Sequence, residues 1–199
     1  MEKNMKKRIA AFIMVGVFAL SFAGCGSSKS ESQQNADNIK EKLEESVAAI
    51  KDAVVKHEVY HSAEGNGYNE YAIVFYGGNT GTLKGLTYQT KFDETSGVTV
   101  EEMESQNLDE IYPGFSEMSF ADARFTENGD TVDAIIRFMD LDDYDNLKMM
   151  DENGLMALDD PNKEALVDAS ILMERMEQAG AEKLSLAEYG DLNLDFSID

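Results

Sequence analysis

The densest run of oxygen-bearing side chains is Asp140-Leu141-Asp142-Asp143-Tyr144-Asp145-Asn146. Calcium takes such oxygens at alternating positions, in loops that also need a glycine for the sharp turn and a late bidentate acid. Counted from Asp140, the fifth position is Tyr144, the sixth is Asp145 and the twelfth is Asp151, so the EF-hand pattern fails twice. A looser calcium site stays open beside the default, a solvated loop leading from a strand into a helix. Asp191, Asn193, Asp195 and Ser197 also alternate, and fit the polar outer face of a last strand. His57 and His61 have the i,i+4 spacing that binds zinc on a helix. Their segment, however, is where a helix runs into a strand, and two ligands do not complete a site. Gly77-Gly78-Asn79-Thr80-Gly81 lacks the Lys-Ser/Thr of a phosphate loop and a helix after it, so it predicts a turn. There is no Gly-x-Ser-x-Gly, Ser-Lys or Cys-His arrangement for nucleophilic catalysis. The expectation is a non-enzyme with no cofactor and no metal.

The one cysteine, Cys25, stands in a more specific setting. Lys3, Lys6, Lys7 and Arg8 precede a 14-residue apolar run from Ile9 to Phe22, and Ala23 and Gly24 follow it. Basic residues, a short apolar run and small residues at its exit describe a secretory signal. The run is short of the roughly 20 residues that span a bilayer as a helix. Phe22-Ala23-Gly24-Cys25 resembles the bacterial lipobox, with Phe22 in place of the usual Leu. The resemblance implies a diacylglyceryl group on the Cys25 sulfur, cleavage just before that residue, and residence on the extracytoplasmic face of the cell membrane. Two acyl chains are what stable attachment requires. Residues 1–24 then form the signal peptide, and residues 25–37 the lipidated cysteine and a polar tether.

The net charge of −22 becomes −25 once the segment before Cys25, with four basic residues and one acidic, is removed. Such a surface excludes nucleic acid, whose phosphates need Lys and Arg. It also repels anionic lipid, so the membrane contact expected is the lipid on Cys25 alone. A protein or cationic partner remains open.

The elements that carry these residues follow a mixed pattern. Ile39, Leu43, Val47, Ile50 and Val54 recur at helical spacing and predict a helix over 38–57. His57–Ser62, Tyr68–Tyr76 and Leu83–Phe92 are β-branched and aromatic between glycine turns, which predicts consecutive antiparallel strands. Val98–Ile111 predicts a second helix, with Thr99 and Glu102 as a capping box and Pro113-Gly114 as its stop. Met118–Phe125 and Thr131–Met139 predict a hairpin around Glu127–Asp130, and Asp168–Ala179 a third helix closed by Gly180. Leu192, Leu194, Phe196 and Ile198 alternate as a last strand would.

This order resembles the YehR-like bacterial lipoproteins. The resemblance rests on the lipobox, the strand pair at a glycine turn, and the helix opening Gly97-Val98-Thr99-Val100-Glu101-Glu102. It continues through the hairpin Ala121–Met139 and Leu166-Val167-Asp168-Ala169-Ser170 running into a helix that ends Glu177-Gln178-Ala179-Gly180-Ala181. It covers residues 58–184; the preceding helix, the C-terminal tail and the acidity depart from it. It implies an α+β fold with an antiparallel sheet against helices, and it brings no catalytic residues; with the flanking segments the expectation is a single α+β domain over 38–199, an antiparallel β-sheet packed against two or three helices. The function expected is a non-enzymatic binding or envelope-associated module. A carboxylate-based envelope enzyme or accessory, or a calcium- or ligand-binding lipoprotein, is the alternative.

Overall fold

A computed structural model of the chain describes residues 54–158 and 165–197. Strand β1 (Val55–Gly65) turns at Asn66-Gly67 into β2 (Tyr68–Gly77), and β3 (Leu83–Phe92) completes a meander. Gly67 has φ +84°, and a Cβ there would come within 2.7 Å of the Ser96 backbone nitrogen, so the position admits glycine alone. The hairpin follows as β4 (Ala121–Asn128) and β5 (Thr131–Phe138), turning at Gly129-Asp130. β5 pairs with β3, and β6 (Glu182–Leu184) adds to the free side of β1. The result is a six-stranded antiparallel sheet in the order β4-β5-β3-β2-β1-β6.

Five helices occur among the described residues: α1 (Val100–Glu104), α2 (Leu108–Ile111), α3 (Tyr144–Glu152), α4 (Ala169–Gln178) and α5 (Leu186–Tyr189). The fold is therefore α+β, as the strand and helix patterns predict. α4 begins where the Asp168 carboxylate accepts from the Ser170 N–H at 2.8 Å. It ends in a Schellman motif, Ala181 N–H to Met176 C=O and Gly180 N–H to Glu177 C=O, with Gly180 at φ +97°.

Period-2 alternation assigns the two faces of the sheet. Tyr60, Ala72, Val74, Leu86, Ile136 and Phe138 point to one side, where Leu141, Leu147, Met150 and Ala169 from α3, α4 and their approaches close the core. Tyr112 and Phe115 meet the Phe138 ring at 5.9 and 6.0 Å in edge-on geometry. Val59, Tyr71, Ile73 and Phe75 point to the other side, where Leu194 covers them.

Three expectations need correction. Residues 38–53 of the predicted 38–57 helix lie outside the described residues, but Val55–His57 are strand, because the β-branched and aromatic run recruits them as partners of Phe75–Gly77. Val98–Ile111 is two helices, not one: Ser105 caps the first, and the Asn107 side chain, accepting from the Asp109 N–H, starts the second. The Thr99–Glu102 capping box is present as predicted. The 192–198 alternation forms no strand over its described residues, since Asn193 takes φ +52° and breaks the extended run.

Candidate binding surface

The sheet face opposite α3 and α4 is divided. Over β1 and β2 it is apolar and packed under α5 and the C-terminal segment. Over β3, β4 and β5 it is polar, and in-phase residues place the groups: Thr87, Gln89 and Lys91 on β3, Asp133 and Arg137 on β5, Asp122 and Arg124 on β4. Gln89, Thr87, Asp133 and Arg137 are all buried. Burial of such groups is costly unless they are partnered. Lys91 Nζ lies 2.9 Å from both Asp133 oxygens. Gln89 Nε2 donates to Asp133 Oδ2 at 3.3 Å and to the Asn193 carbonyl at 3.4 Å, while its Oε1 accepts from the Asp195 N–H at 2.8 Å. Gln89 thus supplies part of what a neighbouring strand would, and with the packing of Leu194 it holds the tail in place without a ladder.

The carboxylate of Asp195 meets Arg124 Nη1 at 3.3 Å. Burial pushes the Asp195 pKa up, but hydrogen bonds from Ser197 and the charges of Arg137 and Arg124 outweigh it and hold the group below the usual carboxylate range. Arg137 makes a bidentate pair with Asp122, Nε to Oδ1 at 2.7 Å and Nη2 to Oδ2 at 2.5 Å, which raises the guanidinium pKa further. Its remaining Nη1 is buried without a partner, as is the hydroxyl of Thr87, its opposite number in the β3–β5 register. Between the tail and the hairpin lies an open cleft of about 600 Å³, lined by Gln89, Thr126, Asn128, Asp133, Asp195 and Ser197. It offers both donors and acceptors, and its charged lining residues, Glu127, Asp133 and Asp195, are all acidic, so it suits a polar ligand or peptide better than an anionic one.

The residues singled out by spacing lie apart from this cleft or outside the described residues. Phe22, Ala23, Gly24 and Cys25 are outside them. His57 and His61 both sit on β1, where an i,i+4 interval is roughly 13 Å. Each imidazole has its own neighbours: His57 Nε2 lies 3.3 Å from the Tyr189 hydroxyl, and its ring is 4.6 Å from that of Phe196; His61 Nε2 lies 3.2 Å from Asn69 Oδ1. The Asp140–Asn146 run is a strand-to-helix loop over Asp140–Asp143 and the first turn of α3 from Tyr144. Asp142 pairs with Lys84, Asp143 caps α3, and Asn146 Nδ2 donates to the Asp140 carbonyl. Among the described residues no group of three or more His, Cys, Asp or Glu is placed to hold a metal ion. Gly77–Gly81 is a turn, with Gly81 N–H on the Gly77 carbonyl. Of the alternating tail acids, Asp195 is drawn into the polar face. Among the described residues no helix is long and apolar enough to cross a membrane.

Sequence reasoning missed the polar half-face. Gln89, Asp133 and Arg137 share the phase of their strands in which alternation places solvent-facing residues, so no local signal marks them as buried.

No family model and no curated protein matches the chain. Two solved structures are its neighbours. The NMR structure of the Escherichia coli YehR protein is 18% identical, with a TM-score of 0.44 over 68% of this chain and 96% of that one. An NMR structure of a protein from Streptococcus pneumoniae TIGR4 is 13% identical, with a TM-score of 0.41 over 66% and 86%.

Proposed function

We propose that this chain is an extracytoplasmic bacterial lipoprotein, anchored to the cell membrane by lipid on Cys25, whose α+β domain acts by binding rather than by catalysis. The observation that carries the anchor is Cys25 directly after Phe22-Ala23-Gly24, at the exit of a 14-residue apolar run with four basic residues before it. Twenty-eight residues separate that cysteine from Val54, the first described residue, which leaves room for a tether. Support for binding comes from the polar half-face, whose charges are held in fixed pairs beside an open cleft. Fixed donors and acceptors recognise a partner at low entropic cost.

The test is metabolic labelling with an alkynyl fatty acid in bacteria expressing the full chain. Label should enter the protein and remain with the membrane fraction, and Cys25→Ser should abolish labelling and leave the precursor uncleaved, migrating more slowly than the parent. Labelling of Cys25→Ser, or a mobility of that variant unchanged from the parent, overturns the anchor.

A further inference from the structure

On the helix-bearing side of the sheet, away from the polar cleft, a pocket of about 150 Å³ opens between β2, β3 and α3. Three polar side chains line it: Glu70 from β2, Tyr88 from β3 and Tyr112 from the turn after α2. The rest of the lining is Leu86, Phe138, Met150 and Leu155, which is apolar throughout. Neither tyrosine hydroxyl is hydrogen-bonded to any described residue, and neither is sealed from solvent. The Ser62 hydroxyl donates to Glu70 Oε1 at 2.8 Å and so fixes the carboxylate from outside the pocket.

Both phenols feel the charge of Glu70. Burial pushes the Tyr88 phenol up to about 12, with Tyr112 and the negative charge of Glu70 adding to the shift. Tyr112 is raised by burial and again by Glu70. Both phenols therefore stay neutral at physiological pH, with oxygen lone pairs free to accept.

We infer that this pocket binds a primary alkylammonium group, with Glu70, Tyr88 and Tyr112 accepting its three N–H donors and the apolar lining holding its alkyl stem. The chemistry selects this class over others. Glu70 repels an anion, as does a chain carrying −22 overall. A neutral alcohol or amide can hydrogen-bond Glu70 but leaves its charge uncompensated beside an apolar lining. A metal ion requires more oxygen ligands than one carboxylate and two phenols provide. An ammonium head has three donors and no acceptor, so Glu70 and one lone pair of each phenol can meet it while the two phenolic O–H groups turn to solvent. Aromatic rings beside it add cation–π attraction. The pocket volume holds about five water-sized groups, the size of n-butylammonium or of a lysine side chain beyond its Cα. The ligand is thus a free alkylamine or a lysine of a basic partner, and the chemistry is common to both. The inference rests on the domain being a binding module and is independent of lipid on Cys25, which the labelling experiment reads separately.

The test is titration of the full chain in detergent micelles, labelled with ¹³C on the methionine methyl groups, at pH 7 and constant ionic strength. Met150 lines the pocket and is the reporter. n-Butylammonium should shift its methyl signal saturably, with a Kd on the order of 1 mM, as befits so few atoms. Glu70→Gln should weaken binding about 10-fold or more, and Tyr88→Phe, which keeps the ring and the fold, several-fold. Nα-acetyl-lysine methylamide distinguishes the sources: affinity equal to or above that of the amine assigns a lysine side chain, and loss of binding assigns a free amine. The inference is overturned if Met150 does not respond, if n-butanol or sodium chloride produces the same shift, or if tetramethylammonium, which has no N–H, binds equally well. Unchanged affinity in folded Tyr88→Phe and Glu70→Gln overturns it too.

Discussion

On the side that bears the helices, Ala72, Val74, Leu86, Ile136 and Phe138 turn apolar side chains into a core closed by α3 and α4. On the reverse side of the same strands, Thr87, Gln89, Asp133 and Arg137 lie at similar depth and are polar. The first side gains from removal of apolar area from water, at roughly 25 cal/mol per Å² and without regard to direction. The second gains little from burial itself and depends on each group meeting its partner at the right angle. The molecule is therefore robust on one face and specific on the other. An apolar core tolerates changes of similar volume, whereas a paired polar face fails when one member is removed.

The largest expected effect is on the apolar side. Phe138→Ala removes the ring that Tyr112 and Phe115 pack against and should lower stability by about 3–5 kcal/mol, read as a lower midpoint in urea. Next is the polar side. Asp122→Ala strands the buried Arg137 guanidinium and should cost about 2–3 kcal/mol, less than a fully buried pair because Asp122 is 47% exposed. Arg137→Met removes the charge and keeps the volume, so it should fall within about 1.5 kcal/mol of the parent. Equal losses for the two variants would erase the proposed contrast between the faces. Third, Thr87→Val deletes a buried hydroxyl that has no partner and should stabilise by about 1 kcal/mol in the same unfolding experiment. A loss instead would show that the hydroxyl is satisfied.

The smallest effect is a pH dependence confined to the tail. Asp195 has a folded pKa below its unfolded value, so its contribution is complete above the ordinary carboxylate pKa of about 3.9 and disappears as pH falls through the lower folded value. Amide exchange at Leu194 and Asp195 should therefore accelerate in that acid window before exchange in β2 does. Simultaneous loss in both places would make the tail part of the global unfolding unit.

The division of the sheet also explains what the sequence made legible. β2 and β3 and the 121–138 hairpin follow from alternation between glycine turns, and the Thr99 box and the Gly180 stop from a few adjacent residues. These signals are local, and the structure keeps them. The tail alternates as faithfully as a strand, but only because Leu192 and Leu194 pack on the apolar half of the reverse face while Asp195 reaches the polar half. Helix α3 buries only Leu147 and Met150, too few for a periodic signal, and its start is hidden among acids that read first as ligands. Gln89, Asp133 and Arg137 fall where alternation places solvent-facing residues. That they are buried follows from a tail arriving from about a hundred residues away, and no local pattern encodes it.

The two ends of the sheet carry a consequence for self-association. An antiparallel sheet that does not close leaves two rows of unpaired backbone groups, each a template on which a second chain can polymerise. Here one end is β6, with three residues including Glu182 and Lys183, too short and too charged to seed a fibril. The other is β4, whose exposed Arg124, Glu127 and Asn128 interrupt any apolar match with an incoming strand. Many copies crowded together can thus remain separate molecules, with neither end of one sheet continuing into the next.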